Sequence, residues 1–322
     1  MKKLRIGVVM DPIGDIVPAK DSSLAMLLEA QARGHEIHYF EQADLRLLDG
    51  DPLGTGRALS VADDPDDWFT LGPAEDMSLT DLDVILMRKD PPFDTEYIYT
   101  TYILERAELA GVLVINRPAS LRDMNEKVYT AWFPEFCPTT VITRSIPEMR
   151  RFLAEYGRIV VKPLYGMGGR SIFVVANDDN NANVIFETLT DYETQFAMAQ
   201  RFIPEISAGD KRILLVGGIP APNVLARVPS ADDYRGNLVA GAQPEVRELT
   251  ARDREIATAV GAELQRRGVL FAGLDVIGDY LTEINVTSPT GIRELQKLAG
   301  IDVASDLIDL LETSVRAGKA AA

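Results

Sequence analysis

Asp275, Glu283 and Asn285 fall within one short stretch, Phe271-Ala-Gly-Leu-Asp-Val-Ile-Gly-Asp-Tyr-Leu-Thr-Glu-Ile-Asn285, which reads as two apolar strands about a Gly-Asp turn. Three oxygen-bearing side chains on one hairpin suit Mg²⁺, which takes hard ligands and keeps water and substrate phosphates as the rest of its shell; Mn²⁺ accepts similar donors. The chemistry this points to is chemistry on ATP. Glu283 and Asn285 are two residues apart and so share one face of their strand. A plain Gly278-Asp279 turn would set Asp275 opposite Thr282 and send it to the other face, so the spacing predicts a three-residue turn or a bulge near Gly278. An ordinary hairpin with exposed acids is the alternative reading of these residues alone.

Lys162-Pro-Leu-Tyr-Gly-Met-Gly-Gly-Arg-Ser171 places a lysine at a strand end and Gly166, Gly168 and Gly169 in the turn before the next strand. Glycines let backbone N–H groups approach anionic oxygens, and the lysine adds a mobile positive charge. The spacing matches neither dinucleotide-binding nor Walker-type glycine motifs, and by itself the segment is also readable as a plain turn. Asn125-Glu126-Lys127, at the start of an expected helix, supplies a second lysine, with a solvated helix-end charge as its alternative. Their order carries more weight than either alone: Lys127, then Lys162 with its glycines, then the late acids. Arg212 and Arg227 lie on strands expected to pair across Gly217-Gly218 and could neutralise a transferred phosphoryl group. Arg235 belongs to Pro229–Pro244, a stretch of weak periodicity that reads as a lid over a reactive intermediate or as disorder.

The elements that must position these residues form an α/β pattern. Leu4–Met10, a helix carrying Leu24, Leu27 and Leu28 and capped by Ser22, and Glu36–Phe40 make a βαβ unit. After an acidic, Pro/Gly-punctuated stretch from about Asp49 to Asp81, strand Asp83–Met87, helix Thr95–Ala110 and strand Val112–Ile115 follow, so a parallel sheet is expected. From Asn125 the texture becomes α+β, with strands at Thr139–Ile142, Ile159–Lys162, Ser171–Val175 and Phe196–Gln200 and helices at Ile146–Tyr156 and Asn183–Leu189. Helices near Thr250–Arg267 and Ala304–Leu311 close the chain. This divides into residues 1–122, 123–203 and 204–322.

Composition narrows the function. With 322 residues, 46% of them hydrophobic, the chain can bury cores for two or three domains. Its net charge of −16 argues against nucleic-acid or anionic-membrane binding. A single cysteine, Cys137, excludes an internal disulfide and fits a reducing cytoplasm. His35 and His38, the only histidines, are too few for a histidine metal cluster and lie around one strand. Asp11 and Asp15 interrupt the first apolar run well short of a signal-peptide core, and no run approaches transmembrane length.

Taken together, the layout resembles the ATP-grasp ligases and, within them, the bacterial glutathione synthetases. Met87-Arg-Lys-Asp-Pro-Pro-Phe-Asp94, Ser120-Leu-Arg-Asp-Met-Asn-Glu-Lys127, Gly166-Met-Gly-Gly169 and Leu281-Thr-Glu-Ile-Asn-Val-Thr-Ser-Pro-Thr290 carry the resemblance, which runs through nearly the whole chain. It implies an N-terminal substrate-binding α/β domain, a small ATP-grasp lid domain and a C-terminal ATP-grasp domain. It also implies ATP-dependent ligation of γ-L-glutamyl-L-cysteine and glycine through an acyl phosphate. Lys127, Lys162 and the glycine loop would meet phosphates, and Asp275, Glu283 and Asn285 would hold the metal. Gln200, Phe202 and Ile203 would lie along adenine, with Asp210 at the ribose. Arg88, just past a strand's carboxyl end where open α/β sheets bind ligands, would meet a substrate carboxylate, as would Ser288 and Thr290. A homotetramer or dimer is implied. Tyr165 and Gly291 depart from the family pattern. Other carboxylate–amine ligases, or a non-catalytic ATP-binding regulator on the same fold, are the alternatives.

Overall fold

A computed structural model describes residues 3–166, 169–229 and 241–321. Its strands form three sheets. The first contains β1 (Arg5–Val9), β2 (Glu36–Phe40), β3 (Leu45–Leu48), β4 (Asp51–Val61), β5 (Phe69–Ser78), β6 (Val84–Met87) and β7 (Leu113–Ile115). Their order is β3-β4-β2-β1-β6-β7, with β5 on β4. β1 runs parallel to β2 and β6, and β6 to β7, as expected. Strand order reverses between β1 and β6, so their carboxyl ends open a crevice of the kind where such sheets bind ligands.

The parallel expectation holds only for that half. β3, β4 and β5 are antiparallel, and most of the acidic, Pro/Gly-punctuated stretch from Asp49 to Asp81, to which the sequence pattern assigns no strand, is the long β4–β5 hairpin. The reason is steric. On β4 the buried positions include Gly54 and Gly56, where a Cβ would come within 2.8 Å and 2.7 Å of the Phe40 ring. The strand's inner face is therefore marked by absent side chains, and hydrophobic alternation does not reveal it.

The second sheet has β8 (Thr140–Thr143), β9 (Arg158–Pro163), β10 (Phe173–Ala176) and β11 (Ala197–Arg201), in the order β10-β9-β11-β8 and antiparallel throughout. The third has β12 (Asp210–Val216), β13 (Ile219–Pro220), β14 (Asn223–Val228), β15 (Gln243–Glu248), β16 (Phe271–Ile277) and β17 (Tyr280–Asn285), in the order β15-β14-β12-β16-β17 with β13 on β12. The helices are α1 (Ser22–Ala32), α2 (Thr95–Leu109), α3 (Pro118–Asp123), α4 (Ile146–Tyr156), α5 (Ala182–Thr190), α6 (Ala251–Arg266), α7 (Ile292–Ala299) and α8 (Val303–Ala321).

Packing ties the first and third sheets together. One core runs from Tyr97, Leu104 and Leu121 into Val260 and Leu274, and another from Ile6, Leu27 and Leu86 into Leu214, Ile308 and Leu311. Buried Asn116, after β7, donates to the carbonyls of Phe271 and Val286 and accepts from the N–H groups of Leu270 and Phe271, clasping both ends of the β16–β17 hairpin. The second sheet has its own core, including Met149, Phe152, Val161 and Phe186.

Two local details adjust the expected elements. Asp21 caps α1, accepting from Leu24 N–H at 2.6 Å, whereas Ser22 accepts from the N–H groups of Gly291 and Ile292 at the start of α7. α6 crosses the β12–β13 turn so closely that a Cβ on Gly261 would lie 2.1 Å from the Gly218 carbonyl oxygen. Gly261→Ala is expected to destabilise the protein by about 1–3 kcal/mol despite alanine's better helix propensity, because backbone must move to admit the methyl. A urea midpoint equal to that of the unsubstituted protein would contradict this. Among the described residues, no helix is long and apolar enough to cross a membrane.

Candidate active site

The β16–β17 hairpin closes through a two-residue Gly278-Asp279 turn, with Ile277 opposite Tyr280 and Val276 opposite Leu281. The register then shifts, and Asp275 pairs with Glu283. Thr282 is the extra residue, so the required bulge is present but lies on β17, away from the turn. Asp275 and Glu283 consequently share a face with Asn285. Thr282 stabilises the bulge by donating its hydroxyl to the Asp275 carbonyl at 3.1 Å.

Two lysines converge on this face. Lys162 Nζ lies 3.7 Å from Glu283 Oε1 and 3.5 Å from the Thr282 carbonyl, and Lys127 Nζ lies 4.0 Å from the same carboxylate. Lys127 also binds Glu126 at 2.7 Å and the Gly166 carbonyl at 3.2 Å, which brings the glycine segment to the site. Both lysines are buried. Burial pulls the Lys162 pKa down; at Lys127 the same pull is outweighed by Glu283 and Glu126, and the pKa rises. No α-helix starts at Asn125. A short 3-10 turn follows at Val128–Trp132, and the Asn125 side chain accepts from the N–H groups of Lys127 and Val128 while donating to the Leu164 carbonyl.

The arginines complete a buried charge lattice because β14, β12 and β16 are neighbours. Cross-strand register sets Arg212 opposite Asp275 and Arg227 opposite Asp210. Arg212 grips Asp275 with Nε to Oδ1 at 2.5 Å and Nη2 to Oδ2 at 3.0 Å. Arg227 Nη2 bridges Asp275, at 2.9 Å, and Asp210. Burial would raise the Asp275 pKa, but the two guanidiniums override it and hold the carboxyl well below the usual range. For Asp210 burial prevails, aided by the Asp275 charge, and its pKa is pushed up to about 7. Among the described residues, Asp210 Oδ1 and Arg227 Nε are buried without hydrogen-bond partners, an open acceptor and an open donor at the centre of the site.

These residues line a cleft of about 780 Å³ between the second and third sheets. Lys127, Lys162, Gly166, Gly169, Gln200, Phe202, Ile203, Asp210, Arg212, Arg227, Asp275, Glu283, Asn285, Ser288 and Thr290 all reach it. Gly168, Arg235 and residues 230–240 of the expected lid lie outside the described residues; the lid's last part, from Gln243, is ordered as β15 against β14. Arg88 does not line the cleft. It is buried against Phe271, donating to Ser23 Oγ at 2.9 Å and to the Pro289 carbonyl at 3.1 Å. Ser288 Oγ donates to the Arg88 carbonyl at 3.2 Å. The Gln200 side chain points to Thr140, and Phe202 N–H bonds to the Arg158 carbonyl. Asp90, Arg158 and Arg201 also line the cleft and were not anticipated; the unusual run Arg88-Lys-Asp-Pro-Pro92 was the signal for Asp90.

The donor set on the hairpin is oxygen only. Asn285 commits its amide nitrogen to the Gly273 carbonyl, leaving its side-chain oxygen as the remaining end, and among the described residues Glu283 is held only by distant lysine contacts. That fits a hard divalent cation, whereas both Asp275 oxygens are held by Arg212 and Arg227. Among the described residues, no three His, Cys, Asp or Glu side chains are already gathered as a metal shell.

Comparison with known proteins bears on the same regions. Residues 4–122 match the family model of the prokaryotic glutathione synthetase N-terminal domain, and residues 126–300 that of its ATP-grasp domain. A Shewanella oneidensis protein named glutathione synthetase is 56% identical over 310 residues, covering 96% of this chain and 98% of that protein. A Yersinia pestis protein of the same name is 54% identical and covers 98% and 100% of the two chains. In fold, the chain is similar to the D-cycloserine synthetase DcsG (TM-score 0.70, 13% identity, 97% and 99% coverage). It is also similar to the ATP-grasp ligase PsnB, solved with a minimal precursor, Mg and ADP (TM-score 0.63, 16% identity, 97% and 98% coverage).

Proposed function

The chain belongs to the prokaryotic glutathione synthetase family, and from that premise we propose that it joins γ-L-glutamyl-L-cysteine to glycine using ATP, with release of ADP and phosphate. The observation that carries the reading is the convergence of Lys127, Lys162, Arg212 and Arg227 on the oxygen donors of one hairpin face. A carboxylate is a poor acyl donor to an amine. The cysteinyl carboxylate attacks the γ-phosphorus, ADP leaves, and the resulting acyl phosphate is attacked at its carbonyl carbon by the glycine amine, which loses a proton as phosphate departs. No enzyme nucleophile is required, and Cys137, its pKa pushed up to about 11 by burial, is unsuited to be one.

In this proposal Lys127, Lys162, Gly166, Gly168 and Gly169 hold the triphosphate. Arg212 and Arg227, with Arg235, offset charge on the transferred phosphoryl group, and positioning with electrostatics supplies most of the rate. A bound Mg²⁺ or Mn²⁺ at Asp275, Glu283 and Asn285 supplies further neutralisation of phosphate charge. Adenine lies along Gln200, Phe202 and Ile203, and the open Asp210 Oδ1 accepts from a ribose hydroxyl. Ser288 and Thr290 flank the peptide carboxylate. The division at 1–122, 123–203 and 204–322, a homo-oligomeric assembly and a cytoplasmic setting belong to the same reading.

Arg88 is assigned to the peptide side of the reaction through the Pro289 carbonyl that it holds. Arg88→Ala is therefore expected to raise the peptide KM about tenfold while moving the ATP KM much less, in line with loss of one charge-assisted hydrogen bond. Equal changes in both constants would remove Arg88 from the peptide site. The function itself is tested by divalent-metal-dependent ADP release, with γ-glutamylcysteine and glycine supplied separately and together and the product weighed. Release that needs both substrates and yields glutathione supports the proposal; turnover with a different pair of substrates, or none, defeats it.

A further inference from the structure

The geometry points to Asp90 as the residue that recognises the free α-ammonium of the donor's γ-glutamyl end, an inference that rests on the ligase reading above. With phosphates at Lys127 and Lys162 and the nucleoside toward Gln200–Ile203, the cysteinyl carboxylate is fixed at the arginine lattice. The γ-glutamyl end then follows the Ser288–Gly291 loop, whose Thr290 carbonyl accepts from Arg212 at 3.3 Å, toward Asp90 and Pro91 on the cleft wall. Among the described residues, Asp90 is the one charged side chain from residues 1–122 that lines the cleft. It sits at the carboxyl end of β6, in the crevice where strand order reverses.

The neighbouring acids are already engaged and Asp90 is not. Asp11 binds Lys89 Nζ at 2.9 Å and accepts from Asp90 N–H at 2.9 Å, and Asp21 caps α1. Lys89 turns its ammonium to Asp11 and to the Asp90 carbonyl. Among the described residues, the Asp90 carboxylate has no hydrogen bond or ion pair of its own. Nearby, Arg88 Nη1 and Tyr97 Oη are buried without hydrogen-bond partners among the described residues, and the charge of Asp90 acts on both groups. A free anion at the cleft wall, backed by an incompletely engaged guanidinium, is the complement of an α-amino acid headgroup. The γ-glutamyl end is such a headgroup, with its ammonium at Asp90 and its carboxylate favoured by the field of Arg88.

The test compares γ-glutamylcysteine with glutarylcysteine, which lacks only the α-amino group, in the unsubstituted protein and in Asp90→Asn. The unsubstituted protein is expected to prefer the natural donor in kcat/KM by about 10- to 100-fold, the range for a hydrogen bond to a charged group. Asp90→Asn should raise the γ-glutamylcysteine KM by a similar factor, leave ADP binding unchanged and bring the ratio of the two donors close to unity. Equal use of both donors by the unsubstituted protein overturns the inference whether or not the variant folds. Persistence of the preference in a variant that still binds ADP overturns it as well. If neither donor yields a tripeptide with glycine in the unsubstituted protein, the ligase reading itself has failed.

Discussion

Glu283→Gln is expected to lower turnover by about 10²- to 10³-fold, the range seen when one preorganised electrostatic contact to a transition state is removed. Glu283 is the centre of its side of the site: it faces two buried ammonium groups at 3.7 Å and 4.0 Å and pairs across the hairpin with Asp275. A neutral amide keeps the shape but loses the charge that both lysines and a bound cation require. The fold should survive, because Lys127 retains Glu126 and the side chain is not core packing. A change in stability of about 1 kcal/mol is expected for the lost charge-assisted contacts. Two measurements separate the effects: steady-state turnover, and Mn²⁺ affinity in the presence of ADP by electron paramagnetic resonance. Near-normal values of both would exclude Glu283 from the metal site.

Arg227→Ala should damage turnover and stability together. Arg227 bridges Asp210 and Asp275 in a fully buried setting, so removing it strands carboxylate charge and should cost about 3–5 kcal/mol near neutral pH. Turnover should fall about 10²-fold or more through loss of a phosphoryl contact. The stability penalty also depends on pH. Asp210 has a folded pKa of about 7, above the value of about 3.9 for an unfolded aspartate, so the folded state holds the extra proton between these values and stability declines as pH rises through that window. Without Arg227 the folded pKa moves higher and the decline continues to higher pH. The penalty of the substitution should thus be smallest below about pH 6 and largest above about pH 8. Denaturation midpoints across that range test this; a penalty independent of pH would show that Asp210 is not the group left uncompensated.

The two lysines and the three oxygen donors were legible in the sequence because strand parity and chain order constrain them strongly. Parity required a displaced register to bring Asp275 to Glu283, and the bulge exists; its position at Thr282 was not determined by the turn residues, since a bulge anywhere between the two acids satisfies the same condition. The charge lattice was only half visible. Pairing of β12 with β14 follows from the Gly217-Gly218 turn, but the placement of β16 beside β12, which joins Arg212 to Asp275, depends on a contact across 63 residues. The β4–β5 hairpin escaped because glycines mark its buried positions. α7 escaped because the side chain capping it, Ser22, lies 269 and 270 residues from the N–H groups that it receives.

The separate core of the second sheet gives the cleft one heavy jaw and one light jaw. The first and third sheets are fused by shared hydrophobic packing and by the Asn116 clasp, so the wall carrying the arginines and the hairpin acids is one packed unit. The opposing wall, with Lys162 and Gly166, is built on a sheet that has its own interior. A displacement of the second sheet from the third would therefore break ionic contacts across the cleft, such as Lys162 with Glu283, and leave both hydrophobic interiors closed.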